Sequence, residues 1–205
     1  MNDLNHVIKT LLNLQSQINL IVETLNEIGN NYETLRRIPL ANFFNQGMNL
    51  ENSTHTLLSN YSIVMFCSFI DEYEKNFNIS FLKSVDPERI KRVKIKNNAG
   101  MKRIKKWKDL HNFRSFLVAH NFRKSNGKSF FSNEFENFTF KIPNTISEKR
   151  LFLDITFLIC HNIKIEFSEI FDSLDPNELM LNKMKIIGEK IDHQNEIIEL
   201  IEKMK

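Results

Sequence analysis

Apolar residues recur at alternating steps of three and four over residues 3–28. This heptad spacing is typical of a long helix that packs along other helices. Further apolar side chains beside the seam widen the apolar face, so we expect this helix to contact more than one neighbour. The heptad positions are Leu4, Val7, Leu11, Leu14, Ile18, Ile21, Leu25 and Ile28, and the widening positions are Ile8, Leu12 and Val22.

A second long helix is predicted over residues 53–77, where apolar and aromatic side chains fall on more than one face. Asn52 or Ser53 is its predicted N-cap, because either side chain can accept a hydrogen bond from the first turn. Gly29 and the asparagine after it predict the end of the first helix. We interpret the intervening segment 31–49 as a loop, with or without a short helix.

Helix-starting and helix-breaking residues divide the next part of the chain. Asp86 before Pro87 is typical of an N-cap followed by proline at the first helical position. The sequence Asn-Asn-Ala-Gly at 97–100 predicts the end of this short basic helix. A new helix is predicted over 101–122, and Ser-Asn-Gly at 125–127 then breaks it.

The last third of the chain begins with a segment rich in phenylalanine at 128–143. Its alternation of apolar and polar residues favours a short strand or an extended cover over the core. Thr145 and Glu148 form a capping-box pattern, which predicts a helix that runs to about Phe171. Residues 176–204 follow an Asp-Pro start and carry a second heptad pattern.

These elements predict an all-α fold, an up-and-down helical bundle with long coiled-coil-like terminal helices and one irregular or β-like segment near 128–143. Glycine (5) and proline (4) are scarce, which favours long helices. We expect a single domain over 1–205 with its core at 50–172. The terminal helices, 3–28 and 176–204, can pair with each other or with a second chain, and pairing within one chain is favoured.

Positive charge is concentrated in the middle of a chain whose net charge is only +3. Residues 83–128 hold 15 Lys and Arg against three acidic residues, a net of +12. This asymmetry indicates a surface that binds a polyanion, although a solvated helix face is the commoner origin of such runs. Trp107 could stack on a base there, but its spacing from Ile104 and Leu110 favours the core. The candidate nucleic-acid contacts are Lys102, Arg103, Lys105, Lys106, Arg123 and Lys124.

Several other classes of protein find little support. No apolar run approaches the ~20 residues of a membrane span, and the N-terminus lacks the pattern of a signal peptide. The six histidines and two cysteines show no metal-ligand spacing, so we expect no metal site and no cofactor. Cys67 and Cys160 lie in apolar surroundings, typical of buried thiols in a reducing cytoplasm.

Arg114 and His120 are the best candidates for chemistry. On a continuous helix six residues leave them about 120° apart and ~9 Å along the axis, so both can border one groove. A histidine can transfer protons near neutral pH, and an arginine fork suits the developing charge of a phosphorane. His-Asn-Phe-Arg occurs at both 111–114 and 120–123, but nine residues is about 900°, which puts the copies on opposite sides of a helix.

The segment Arg-Ser-Phe-Leu-Val-Ala-His from Arg114 to His120 resembles the Arg-x(4–6)-His motif of the HEPN superfamily, in its Arg-x-x-x-x-Ala-His form. The resemblance covers these seven residues closely and the helical layout of 50–172 loosely. It implies a metal-independent endoribonuclease, often a toxin or antiviral effector. It also implies a homodimer in which two motifs meet at the interface, RNA as the substrate, and an antitoxin or defence protein as a partner.

The resemblance extends to supporting residues. An acidic residue of a neighbouring helix can orient the motif in such bundles, so Asp71 or Glu74 could hold Arg114, although a solvated helix end is the commoner role for each of them alone. Ser115 stands where the family usually has Asn, Asp or His, and it keeps a hydrogen-bonding group. Asn121 is a second supporting candidate.

Two alternatives to an enzyme remain. The first is a non-catalytic helical module that binds RNA or a partner protein, and the second is a coiled-coil adaptor whose basic face binds an acidic partner. For the residues themselves, the alternative is that His120 caps a helix and Arg114 makes a surface ion pair.

Phe122 stands where some HEPN toxins have a tyrosine that an antitoxin modifies, so that mode of silencing is not expected.

Overall fold

A computed structural model describes residues 2–36, 49–115 and 139–174. Within these ranges the chain forms helices and contains no β-strand, so the predicted all-α class is confirmed. Residues 139–143, at the end of the phenylalanine-rich segment, are irregular. The remainder of that segment and the predicted helix over 176–204 lie outside the described residues.

The described part of the chain contains seven α-helices and one π-helix, none of them long and apolar enough to cross a membrane. These helices lie in one compact unit that ends at Leu174. In chain order they are α1 (Asn2–Asn30), α2 (Tyr32–Arg36), α3 (Leu50–Asp71), the π-helix (Glu72–Asn76), α4 (Pro87–Ile104), α5 (Leu110–Arg114), α6 (Ile146–Glu166) and α7 (Ser168–Phe171).

The heptad seam of α1 faces the core. Its residues are buried apart from Leu14, which is partly buried and packs against the same core. Because α1 contacts both α3 and α6, the expectation of more than one neighbour is confirmed. These contacts cover the seam within the chain itself. α1 runs through Gly29 and ends at Asn30, and α2 is a short helix within the segment 31–49, one of the two forms predicted for that segment.

Aromatic residues of α3, the π-helix and α6 form the centre of the core. Phe66 stacks on Phe152 with ring centroids 4.0 Å apart. Tyr73 stacks on Phe77 at 5.7 Å, and Phe77 meets the edge of Phe167 at 6.1 Å. Each such side chain contributes roughly 1.5–3 kcal/mol by leaving water, so this cluster fixes where α3 and α6 meet.

The N-terminal end of α3 differs from the prediction. Asn49 is the N-cap, and its side-chain oxygen accepts a hydrogen bond from the backbone N–H of Asn52 (2.9 Å). The prediction of Asn52 or Ser53 was therefore wrong by about one turn, because several asparagines compete for the cap. The C-terminal end also differs, because α3 ends at Asp71 and the π-helix follows it directly.

The start of α4 was predicted correctly. Asp86 accepts a hydrogen bond from the backbone N–H of Glu88 (2.9 Å), and Pro87 occupies the first helical turn. This geometry satisfies one of the free N–H groups at a helix start and removes another.

The predicted end of α4 at 97–100 is wrong, because the helix continues to Ile104. Gly100 lies where α4 approaches α6, and a Cβ there would stand 2.9 Å from Cγ2 of Ile155. Asn97 is buried and donates to the Tyr73 hydroxyl (3.1 Å). Gly100 thus marks a close contact between α4 and α6, and Asn97 marks a hydrogen bond within the core.

The predicted continuous helix over 101–122 is also wrong in its described part. The chain leaves helical geometry after Ile104 and resumes it in α5. Trp107 lies in this break and is buried, with its indole N–H 3.3 Å from a carboxylate oxygen of Glu148. The indole is buried within this turn, so the preference for a core Trp107 over a base-stacking one is confirmed.

The capping box at the start of α6 is confirmed. The Thr145 hydroxyl accepts from the Glu148 N–H (3.2 Å), and the Glu148 carboxylate accepts from the Thr145 N–H (3.1 Å). α6 ends at Glu166, short of the predicted Phe171. Phe167 leaves helical geometry (φ −124°, ψ 42°) with its ring buried in the core, and α7 follows.

Candidate functional site

The site is built around Arg114, the last residue of α5. One terminal guanidinium nitrogen donates to Oδ2 of Asp71, at the end of α3, over 2.8 Å. Lys75 binds the other carboxylate oxygen of Asp71, also at 2.8 Å. The side chains of Arg114 and Asp71 are 31% and 26% exposed, so the ion pair is partly buried and partly accessible to solvent. Of the two carboxylates proposed to hold Arg114, Asp71 makes the contact and Glu74 does not.

Several neighbours determine the charge of Asp71. Burial alone would raise the pKa of its carboxyl, but hydrogen bonds from Lys75 and Arg114 outweigh that effect and leave the pKa below its ordinary value of 3.8. Asp71 is therefore ionised at neutral pH and holds Arg114 by a charge-assisted hydrogen bond.

The cysteine nearest to this pair, Cys67, is a buried free thiol. Burial raises the pKa of the Cys67 thiol to about 12, against the opposing effect of the Arg114 charge. Burial raises the pKa of Cys160 to about 12 as well. Since the thiolate is the reactive form, both cysteines are inert at neutral pH, as buried thiols should be.

The other members of the predicted site divide into two groups. Ser115 directly follows Arg114 and is partly buried. His120 and Asn121 lie outside the described residues, as do Arg123 and Lys124 of the predicted nucleic-acid contacts. The structure thus brings Asp71 to Arg114 and does not test the pairing of Arg114 with His120.

The basic surface is smaller than the charge count of the sequence suggests. Arg89 and Arg92 bind Glu166 of α6, with the shorter of these ion pairs at 2.6 Å. Arg103 stacks on the indole of Trp107, 4.1 Å from the ring centroid. Arg89 and Arg92 thus join α4 to α6, whereas Arg103 packs on the turn that follows its own helix.

Several lysines of this region are exposed. Lys102, Lys106 and Lys108 are exposed and make no ion pair within the described part of the chain. Lys105 binds Glu74 over 2.8 Å, and its side chain is 63% exposed. A compact group of lysines therefore lies where α4 ends and the chain turns towards Arg114.

A cavity of about 170 Å³ lies within the same region. Its apolar part is formed by Ile70, Ile104, Trp107 and Leu110, all of them buried core residues. The sequence did not reveal this cavity, since its walls come from the end of α3, the π-helix, the end of α4, the turn after it and α5.

Charged and ionisable groups surround that apolar floor. They are Glu74, Lys105, Lys108 and His111. The cavity therefore combines a hydrophobic base with a polar rim, the usual composition of a small-ligand site.

Lys94 of α4 is a further perturbed cation. Its ammonium group donates to the backbone carbonyl of Tyr73 (2.5 Å) and lies 3.7 Å from the centroid of the Tyr73 ring. Burial lowers the pKa of Lys94 to about 8, with an opposing effect from Glu74. The hydrogen bond and the ring contact offset part of the cost of burying this charge.

The chain was compared with protein-family models, with curated proteins and with solved structures, and nothing matches it.

Proposed function

We propose that this chain is a HEPN-like, metal-independent endoribonuclease that acts in the cytoplasm as a toxin or an antiviral effector. The observations that support this proposal are a partly exposed Arg114, held by Asp71, and the exposed lysines at the end of α4. The lysines would bind the phosphate backbone of RNA, which needs cations but no particular geometry.

In the proposed reaction the ribose 2′-oxygen attacks the adjacent phosphorus and the bond from phosphorus to the 5′-oxygen breaks. A histidine takes the proton from the 2′-hydroxyl, and a protonated histidine gives one to the leaving 5′-oxygen. Arg114 would stabilise the negative charge on the phosphorane through its planar fork of N–H donors. Asp71 would fix the direction of that fork.

His120 is the proposed proton-transfer residue. One chain supplies one His120, whereas the reaction needs both a base and an acid. A homodimer with a composite site would provide both. We therefore expect analytical ultracentrifugation to show two chains per particle. The HEPN resemblance also leads us to propose an antitoxin or defence protein as a regulator.

RNA cleavage in the presence of EDTA tests the proposal. Arg114→Ala and His120→Ala should each reduce the cleavage rate by about 100-fold or more, the usual loss for a proton-transfer or charge-stabilising group. Arg150→Ala and His161→Ala are matched controls, because both residues are exposed on α6 and outside the site. Unchanged cleavage by the two site variants, or no cleavage by the wild type at high concentration, would refute the enzyme.

A non-catalytic RNA-binding module is the second candidate. It is favoured by Lys102, Lys106 and Lys108, which make no ion pair in the described part of the chain. In that case RNA binding would weaken steeply with salt, Arg114→Ala would bind RNA as the wild type does, and no cleavage would be seen. A coiled-coil adaptor gains no support from α1, because its seam is already covered by α3 and α6.

A further inference from the structure

The cavity and the Arg114–Asp71 pair share their supporting elements. Ile70 and Glu74 of the cavity bracket Asp71 along the chain, and His111 lies one helical turn before Arg114 on α5. The cavity and the ion pair therefore draw on the same two stretches of chain, although Arg114 itself does not line the cavity.

The size of the cavity limits what it can hold. About 170 Å³ is well below the roughly 300–1,000 Å³ of sites for drug-sized ligands. A single flat ring system is the class of ligand that fits an apolar floor of this size. The floor is formed by side chains of the core, so it is already present without a ligand.

The rim adds a requirement for charge and hydrogen bonding. Glu74 is the single carboxylate that lines the cavity within the described chain, and an ionised carboxylate only accepts hydrogen bonds. Lys105, Lys108 and His111 provide donors for an anionic group at the same mouth. The best ligand therefore has a flat ring with N–H donors on one edge and a phosphate attached.

From this geometry we propose that the cavity is a base-binding subsite that selects a guanine nucleotide of the RNA substrate. The guanine edge carries two parallel N–H donors, at N1 and N2, which match the two oxygens of Glu74. Uracil offers one N–H between two carbonyl oxygens, which a carboxylate repels. Lys105 would release Glu74 and turn to the phosphate, which its exposed side chain permits. The assignment of RNA as the source of the nucleotide rests on the proposed function, whereas guanine binding itself does not.

Trp107 provides a direct measurement, because it lines the cavity and is the only tryptophan of the chain. We expect guanosine 5′-monophosphate to change its fluorescence saturably, and to bind roughly tenfold or more tightly than uridine 5′-monophosphate. Adenosine and cytidine 5′-monophosphates, with one amino group each, should fall between them. Glu74→Gln should remove the preference for guanine, because the new amide group opposes N–H donors.

Glu72→Gln is the matched control. It removes the same charge two residues away, from a carboxylate that binds Asn76 and does not line the cavity. Equal binding of the four nucleotides, a preference for another base, or a Glu74→Gln variant that still prefers guanine would each overturn the subsite. Guanine binding without RNA cleavage would leave the subsite standing and refute the ribonuclease. Cleavage without preference for guanine at the cut would refute the subsite alone.

Discussion

The ion pair between Asp71 and Arg114 should contribute measurably to stability, and a double-mutant cycle isolates its contribution. The variants are Asp71→Asn, Arg114→Gln and the combination of both. The two side chains are about one-quarter to one-third exposed and 2.8 Å apart. Exposed pairs contribute about 0–1 kcal/mol, whereas removal of one partner of a buried pair costs about 3–5 kcal/mol. A coupling energy of about 1–2 kcal/mol is therefore expected for this intermediate pair.

Lys75→Gln is the internal control, because Lys75 binds the same carboxylate with a side chain that is 71% exposed. Its loss should cost less than about 0.5 kcal/mol, as for other exposed pairs one turn apart. Urea unfolding gives the free energy of unfolding of each variant from the midpoint and slope. A coupling energy indistinguishable from zero, or a larger cost for Lys75→Gln than for Arg114→Gln, would refute the view that Asp71 chiefly holds Arg114.

The pH dependence of the same pair provides a second check. The pKa of Asp71 is lowered in the folded protein, so its contribution is fully present above the ordinary value of 3.8 and is lost as pH falls through the lowered pKa. The difference in unfolding free energy between the wild type and Asp71→Asn should therefore shrink in acid. A difference that stays constant from pH 7 to pH 3 and below would contradict the ionised pair.

Further predictions concern α4. Gly100→Ala should destabilise the fold by roughly 1 kcal/mol, because crowding against Ile155 outweighs the gain in helix propensity. In an Ile155→Ala background the same change should stabilise it, and destabilisation in both backgrounds would disprove the steric explanation. The pKa of Lys94 is lowered to about 8, so wild-type stability should rise, on the order of 1–2 kcal/mol, between pH 8 and the ordinary pKa of 10.5. Lys94→Met should lack this rise in urea unfolding across the same pH range, and an identical rise in the variant would exclude Lys94 as its cause. Lys106→Glu should weaken RNA binding in a filter assay and lower its salt dependence by about one counterion or more, and an unchanged slope would place RNA elsewhere.

Local signals of the sequence predicted most of the fold. The seam of α1, the Asp86 cap and the capping box of Thr145 and Glu148 each depend on residues within a few positions, and each is present as predicted. Such signals fix a helix start because the backbone N–H groups that need partners are also local.

Two of the incorrect predictions, the end of α4 and the continuous helix over 101–122, share a different cause. Gly100 near a cluster of asparagines has the pattern of a helix end, but its lack of a side chain serves contact with α6. Trp107 has helical spacing, yet it lies in a turn, where its ring packs against Phe152. In both cases a partner more than 40 residues away decides the local structure, and no short-range pattern contains that partner.

The candidate site was predictable only in part for the same reason. The contact between Asp71 and Arg114 joins residues 43 positions apart, and the HEPN resemblance offered Asp71 only as one of two acidic residues that could hold Arg114. The cavity had no such guide. Its floor residues have the spacing of ordinary core positions, and only the packing of α3, α4, α5 and the turn that carries Trp107 leaves a space between them.

The π-helix at 72–76 affects how this chain must be aligned with any relative. A π turn holds about one residue more than an α turn, so a homologue with a regular helix here would be one residue shorter. An alignment without a gap in that homologue would be shifted by one residue on one side of the π turn. Asp71 precedes the turn and Glu74 lies inside it, so their counterparts must be sought with a one-residue gap allowed between them.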